Sequence, residues 1–320
     1  YRAPLEDEAA TTVASGCTVT LETDGPLQAT LRIDYTGFLV PRSAVRGGRG
    51  RSDERIALPV TTRITLRRDQ AFAACRIDVD NVARDHRLRA LFPSDVAAHT
   101  QFADMAFDIV ERPIALPDTQ GWNEPAQEIQ PQQSFVAISD DERGLAVVAP
   151  GVKESCVRDD PFRTLAVTLL RGFSATVGTA GEEGAQSLGH HSIELAIVPF
   201  SGSVYRAGLS KVAASMRAPV LTALTGPQEG AASLPQSIVH MEPNTLVLDA
   251  LKRTEDGDAF LLRFHNPTPQ PCCATLALRG LGSEAWRARL DESAGEALPL
   301  DAGMLAIEVG AKEIVTLRVR

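Results

Sequence analysis

The chain has 320 residues, of which 44% are hydrophobic and 23% charged, and its net charge is -9. That length and balance fit about two globular domains and exclude a disordered or fibrous chain. The negative charge argues against a nucleic-acid or anionic-membrane partner, because phosphate binding draws its affinity from clustered Lys and Arg.

The sequence opens on Tyr1-Arg2-Ala3-Pro4, without an initiator methionine or signal peptide, as expected of a fragment of something longer. Leu27, Ala29, Leu31, Ile33 and Tyr35 alternate with Gln28, Thr30, Arg32 and Asp34, which predicts a half-buried strand over 27–35. Similar segments predict strands over 17–24, 56–66, 72–81, 87–92, 107–111, 134–139, 144–149, 164–171 and 192–199. Turn clusters separate them, among them Gly47-Gly48-Arg49-Gly50, Asp140-Asp141-Glu142-Arg143-Gly144 and the stretch 178–184. Only 209–217 reads as a helix, with Ser210 as a candidate cap and Ala218-Pro219 as the stop.

Residues 1–218 therefore read as one antiparallel β domain. The stretch 219–243 turns to Gly, Pro, Ser and Gln without apolar periodicity and reads as a linker. Beyond it, six short strands over 246–251, 259–265, 274–278, 287–291, 304–309 and 313–319 give a β-sandwich of immunoglobulin-like size over 244–320. The fold class is all-β, which argues against a βαβ sheet and a Rossmann-like cofactor site.

Five cysteines, an odd number without CxxC spacing, point to a reducing compartment, hence a cytoplasmic location, and not to a disulfide or zinc framework. No segment approaches the roughly 20 apolar residues of a membrane helix. Lysine-based covalent chemistry is disfavoured, since only Lys153, Lys211, Lys252 and Lys312 are present.

The run Asp85-His86-Arg87-Leu88-Arg89 places charge and an imidazole inside what otherwise reads as a core strand. With period two, Asp85, Arg87 and Arg89 share one face and His86, Leu88 and Ala90 the other. A surface ion ladder explains this, and so does a cleft wall in which guanidinium forks meet a polyhydroxylated or anionic ligand. Arg171 ends the apolar run 165–170 and emerges at a strand end, either at a site, since sites are commonly built there, or snorkelling to solvent. His190-His191 and Gln186 precede a predicted strand, where they form either the rim of a pocket or an exposed turn with two histidines. Asp108 and Glu111 point to opposite faces of a strand, which argues against a local pair of catalytic carboxylates. The sequence has no GxSxG, Walker, HExxH or GxGxxG-before-helix motif.

Taken together, Asn81 to Phe92 (NVARDHRLRALF), Phe107 to Pro113 (FDIVERP), Trp122 to Glu124 (WNE), Gly144 to Val148 (GLAVV), Leu165 to Arg171 (LAVTLLR), and Gln186 with Gly189-His190 resemble the C-terminal β-region of glycoside hydrolase family 38. This family comprises the α-mannosidases and mannosylglycerate hydrolases. Leu262 to Pro267 (LRFHNP) and Ile314 to Leu317 extend the resemblance to the second domain. It implies a mutarotase-like β-supersandwich followed by a smaller sandwich, both downstream of a catalytic barrel that holds the zinc ion and the nucleophile. No catalytic or metal-ligating residue, and no cofactor, is then expected in this chain. Its partners would be a mannosyl carbohydrate and the N-terminal catalytic domain of the same polypeptide. Asp85, His86, Arg87, Arg89 and Arg171 are carried over only as candidate cleft-lining residues. Two other readings use the same features: a stand-alone carbohydrate-binding module, and a mutarotase-type epimerase with His86 or His190 as its acid.

Overall fold

A computed structural model describes residues 14–44, 50–176, 179–226 and 237–320. The Gly47-Gly48-Arg49 part of the first turn cluster, the start of the 178–184 cluster and part of the 219–243 stretch lie outside the described residues. The fold is all-β, as expected, and its sheets are antiparallel. The chain divides into two units, Tyr1–Ala103 with Arg112–Gly202, and Asp104–Glu111 with Ser203–Arg320.

A nine-stranded sheet runs in the order Gly16–Asp24, Gln28–Thr36, Val60–Arg67, Ala73–Asn81, Gly189–Ser201, Arg143–Val148, Phe135–Ser139, Thr100–Met105 and Asp108–Pro113; all of it except the end of Thr100–Met105 and most of Asp108–Pro113 belongs to the first unit. A four-stranded sheet, in the order Gln130–Pro131, Glu154–Val157, Leu165–Arg171 and Arg87–Phe92, supplies the second layer. One apolar core joins them. Cys75, Ile77, Val136, Val147 and Leu195 from the large sheet meet Val157, Leu165 and Val167 from the small one. Leu88 and Ala90 pack against the same core, as their alternation predicts.

Several boundaries differ from the pattern. The strand expected over 56–66 is two strands, Arg55–Ala57 and Val60–Arg67, and the break falls at Pro59, which has no N–H to donate to a ladder. Short strands at Leu39–Pro41, Gln130–Pro131 and Glu154–Val157 carry too few residues to show alternation. The helix Leu209–Arg217 forms as expected, but its N-cap is Gly208 in the left-handed region, without a side-chain cap bond, and Ser210 lies inside the first turn.

In the second unit, a three-stranded sheet (Val239–Glu242, Cys272–Leu278, Met304–Val309) and a five-stranded sheet (Val247–Arg253, Phe260–His265, Ile314–Val319, Ala285–Ala288, Ala294–Leu298) share one apolar core. Val239–Glu242 lies within the stretch read as linker. It forms a strand because Val239 and Met241 alternate onto that core. Asn266 is fully buried. Its amide donates to the carbonyls of Gln270 (2.8 Å) and Gly310 (2.9 Å), fixing the turn after the HNP motif.

Candidate functional site

Asn81, at the end of the Ala73–Asn81 strand, is buried and anchors the turn that leads into the arginine-bearing strand. Its Nδ2 donates to the carbonyls of Gln186 (3.1 Å) and Ser187 (2.8 Å). Its Oδ1 is then left to accept, and it receives the Ala83 N–H at 3.2 Å and the His86 ring at 2.8 Å. Because an amide oxygen only accepts, Nε2 of His86 must carry the proton. Burial pushes the His86 imidazole down to about 4, the Arg51 guanidinium adding to the shift and Asp85 opposing it. At neutral pH His86 is thus an uncharged donor committed to Asn81, and it is not poised as a proton source.

Asp85 does not stand on the arginine face. The strand begins at Arg87, and Asp85 lies in the preceding turn with φ of 51°, which breaks the two-residue alternation. Gln186 clasps it at both ends: Oε1 accepts the Asp85 N–H at 2.8 Å and Nε2 donates to the Asp85 carboxylate at 2.9 Å. Arg51 donates to the Asp85 carbonyl. Gly172, whose N–H donates to the His86 carbonyl at 2.8 Å, lies so close to Gln186 that a Cβ there would meet its carbonyl oxygen at 2.9 Å. Asp85 and His86 are therefore parts of a polar brace that fixes the turn.

Arg87, Arg89 and Arg171 do come together. Arg87 pairs with Arg171 and Arg89 with Thr168 across two antiparallel strands, with a register shift between Thr168 and Leu170. Such a bulge inserts one residue, so Thr168 and Arg171, three apart, face the same way. Glu154 on the next strand receives Thr168 Oγ1 at 2.8 Å and Arg171 at 2.8 Å, with Arg87 at 3.6 Å. Arg89 reaches Cys156 Sγ at 3.9 Å. Burial raises the Cys156 thiol despite Arg89, so this contact is not an ion pair. The Arg171 guanidinium also lies 5.8 Å from the Phe173 ring centroid. Two guanidiniums, Arg87 and Arg171, thus hold one carboxylate, with Arg89 beside them, on the side of the four-stranded sheet that faces away from the core, a surface able to donate to hydroxyls or carboxylates. Glu154 was not among the sequence candidates, because its four-residue strand is too short for a pattern to stand out.

His190 lines a cleft of ≈ 540 Å³ on the polar side of the nine-stranded sheet, with Arg32, Pro59, Thr61, Arg63, Arg76, Asp78 and Asp80. These groups satisfy one another. His190 meets Asp80 at 2.8 Å, Arg63 meets Glu22 at 2.9 Å and Asp78 at 3.0 Å, and Arg32 meets Asp34 at 2.9 Å. Burial pushes Asp78 up, but bonds from Ser192 and Arg76 with the nearby guanidiniums outweigh it and hold the carboxyl below its usual range. His191 is turned to the Ser187 carbonyl at 2.7 Å, and buried Gln186 belongs to the Asp85 brace. Asp108 and Glu111 form no dyad, since Asp108 is taken up by Lys312 within the second unit.

Among the described residues, no three His, Cys, Asp or Glu side chains converge as metal ligands. All five cysteines are free thiols, and no helix among the described residues is long and apolar enough to cross a membrane.

Comparison with known proteins agrees with this architecture. The model of the family described as "Glycosyl hydrolases family 38 C-terminal domain" matches residues 2–176, and that of its "C-terminal beta sandwich domain" matches residues 245–317. A protein of Halalkalibacterium halodurans named "Putative mannosylglycerate hydrolase" is 32% identical over 277 residues, which cover 84% of this chain and 29% of that protein. The chain thus spans less than a third of that relative. Two solved structures from Enterococcus faecalis share the fold. An alpha-mannosidase superposes with a TM-score of 0.82 at 24% identity over 95% of this chain and 35% of that one. A family 38 protein superposes with a TM-score of 0.78 at 23% identity over 95% and 36%. Both modules of the chain are accounted for by these matches, and the chain belongs to glycosyl hydrolase family 38 as its C-terminal region.

Proposed function

We propose that this chain is the non-catalytic C-terminal portion of a retaining α-mannosidase-like hydrolase. It supports a zinc-dependent catalytic barrel, and Arg87, Arg89 and Arg171 help to wall the cleft for a mannosyl substrate. The observation that carries the reading is the arginine face itself. Its one central carboxylate, Glu154, is taken up by Arg171, Arg87 and Thr168, so the face is fitted to bind and not to attack. A retaining glycosidase uses two carboxyl groups roughly 5–5.5 Å apart, one as nucleophile and one as acid/base. In this reading that pair, like the zinc ligands, belongs to the catalytic portion, and Asp85 and His86 act only by holding the turn before the arginine strand. Free thiols suit a reducing, cytoplasmic setting.

The test is hydrolysis of an aryl α-mannoside by the chain alone and by the full-length protein. Activity in the full-length protein only is expected, and activity retained by the chain alone would overturn the division of labour.

A further inference from the structure

The apolar side of the nine-stranded sheet extends beyond the layer that covers it. Strand pairing sets Leu21 opposite Leu31, Leu31 opposite Ile64, Ile64 opposite Cys75 and Cys75 opposite Leu195. Opposed residues point to the same side of a sheet, so these five make one row across five strands. Leu195 is 0% exposed and Cys75 6%, and Ile64 packs against their core, yet Leu31 is 42% exposed and Leu21 53%. A second row, Val19, Ile33, Thr62, Ile77 and Ile193, runs beside it with the same gradient, from 56% exposed at Val19 into the core at Ile77. Exposed Leu66, paired with Ala29, widens the patch.

The reverse side of these strands carries Thr20, Arg32, Arg63, Arg76 and Glu194 in one row. That side is already dressed for water. An antiparallel strand that alternates cleanly has one face to bury, and among the described residues no layer buries it over the first two strands. Contiguous apolar surface of this kind marks an interaction site.

We propose that this face is the docking surface for the remaining polypeptide of a full-length family 38 hydrolase. Two features select that occupant. The matched relative contains far more chain than is matched here, 29% of it being covered, and the family description places the matched part at the C-terminal end. The open rows are also continuous with the domain core, so an apolar element laid on Leu21 and Leu31 would extend a packed interior already present. The inference rests on the reading that a catalytic portion accompanies this chain.

The test compares Leu21→Lys/Leu31→Lys with the parent in the 320-residue chain and in the full-length hydrolase. Tm, mass by light scattering, and aryl α-mannoside hydrolysis are measured. In the chain alone, the double variant is expected to stay monomeric with Tm within about 2 °C of the parent, because Leu21 and Leu31 are about half exposed and the long lysine stems can cover the same apolar surface. In the full-length protein it is expected to lower Tm by about 5 °C or more and to expose new protease sites. Equal Tm values and digests for the two full-length proteins would overturn the proposal. So would a dimer of the parent chain that the substitutions dissociate, or a loss of Tm in the chain alone, since these assign the face to a second copy or to the chain itself. If the parent full-length protein fails to cleave the mannoside, the functional reading fails, while Tm and digestion still decide the docking.

Discussion

Arg87 and Arg171 stand directly opposite each other in an antiparallel pair, and the Glu154 carboxylate, 2.8 Å from Arg171 and 3.6 Å from Arg87, offsets the repulsion between them. Like charges at opposed positions destabilise a sheet. Glu154→Gln keeps the shape and removes the charge, so the urea midpoint should fall by a loss on the order of 1 kcal/mol, less at high salt. A midpoint unchanged at low salt would show that Glu154 does not hold the arginines.

Arg87 and Arg89 separate a binding role from a scaffolding one. In the full-length enzyme, Arg89→Ala should lower kcat/KM by about tenfold or more with little change in Tm, because its contact within the sheet is a weak one to a neutral thiol. Arg87→Ala should lower kcat/KM similarly. A collapse of Tm with unchanged kinetics would make both structural.

His86 gives a pH signature. Its ordinary value is near 6.5 and burial holds it near 4 in the folded protein, so between these values the unfolded chain binds more protons. The associated stability is present above about pH 6.5 and is lost as pH falls towards 4, by at most about 3 kcal/mol. His86→Gln should flatten the stability profile in that window. An unaltered profile would mean that His86 is not the titrating group.

Gly144 and Gly172 mark two close approaches. A Cβ on Gly144 would overlap the Phe200 ring and lie 2.7 Å from the Ile138 carbonyl oxygen, and one on Gly172 would press on the Gln186 backbone. Gly144→Ala should cost about 2 kcal/mol or more, and Gly172→Ala about 1–2 kcal/mol with loosening of the Asp85 brace. Chemical denaturation measures both, and a neutral Gly144→Ala would contradict the packing described.

A strand that could be read from the sequence because its alternation follows burial is Ala73–Asn81, with Cys75, Ile77 and Val79 inside, and Arg87 and Arg89 were legible as one face because Leu88 and Ala90, which alternate with them, pack on the core. Asp85 was not, because a left-handed turn residue carries no strand parity. Asn81 looked like an ordinary strand residue, since its role depends on the carbonyls of Gln186 and Ser187, far away along the chain. Arg171 could be placed at a strand end but not on a face. The run before it is apolar almost throughout, and such a run hides the register.

The extra residue between Thr168 and Leu170 decides where the last arginine ends up. If Leu169 took a regular place opposite Leu88, Leu170 would slide to face Arg87, and Arg171 would overshoot its partner and swing in among the apolar side chains. Deleting Leu169 would leave the partners of Thr168, Leu170 and Arg171 as they are, at the expense of one leucine packed against the core. The positive cluster is thus exposed to slippage more than to shortening, and the irregular step in its strand acts as the catch that stops the slide.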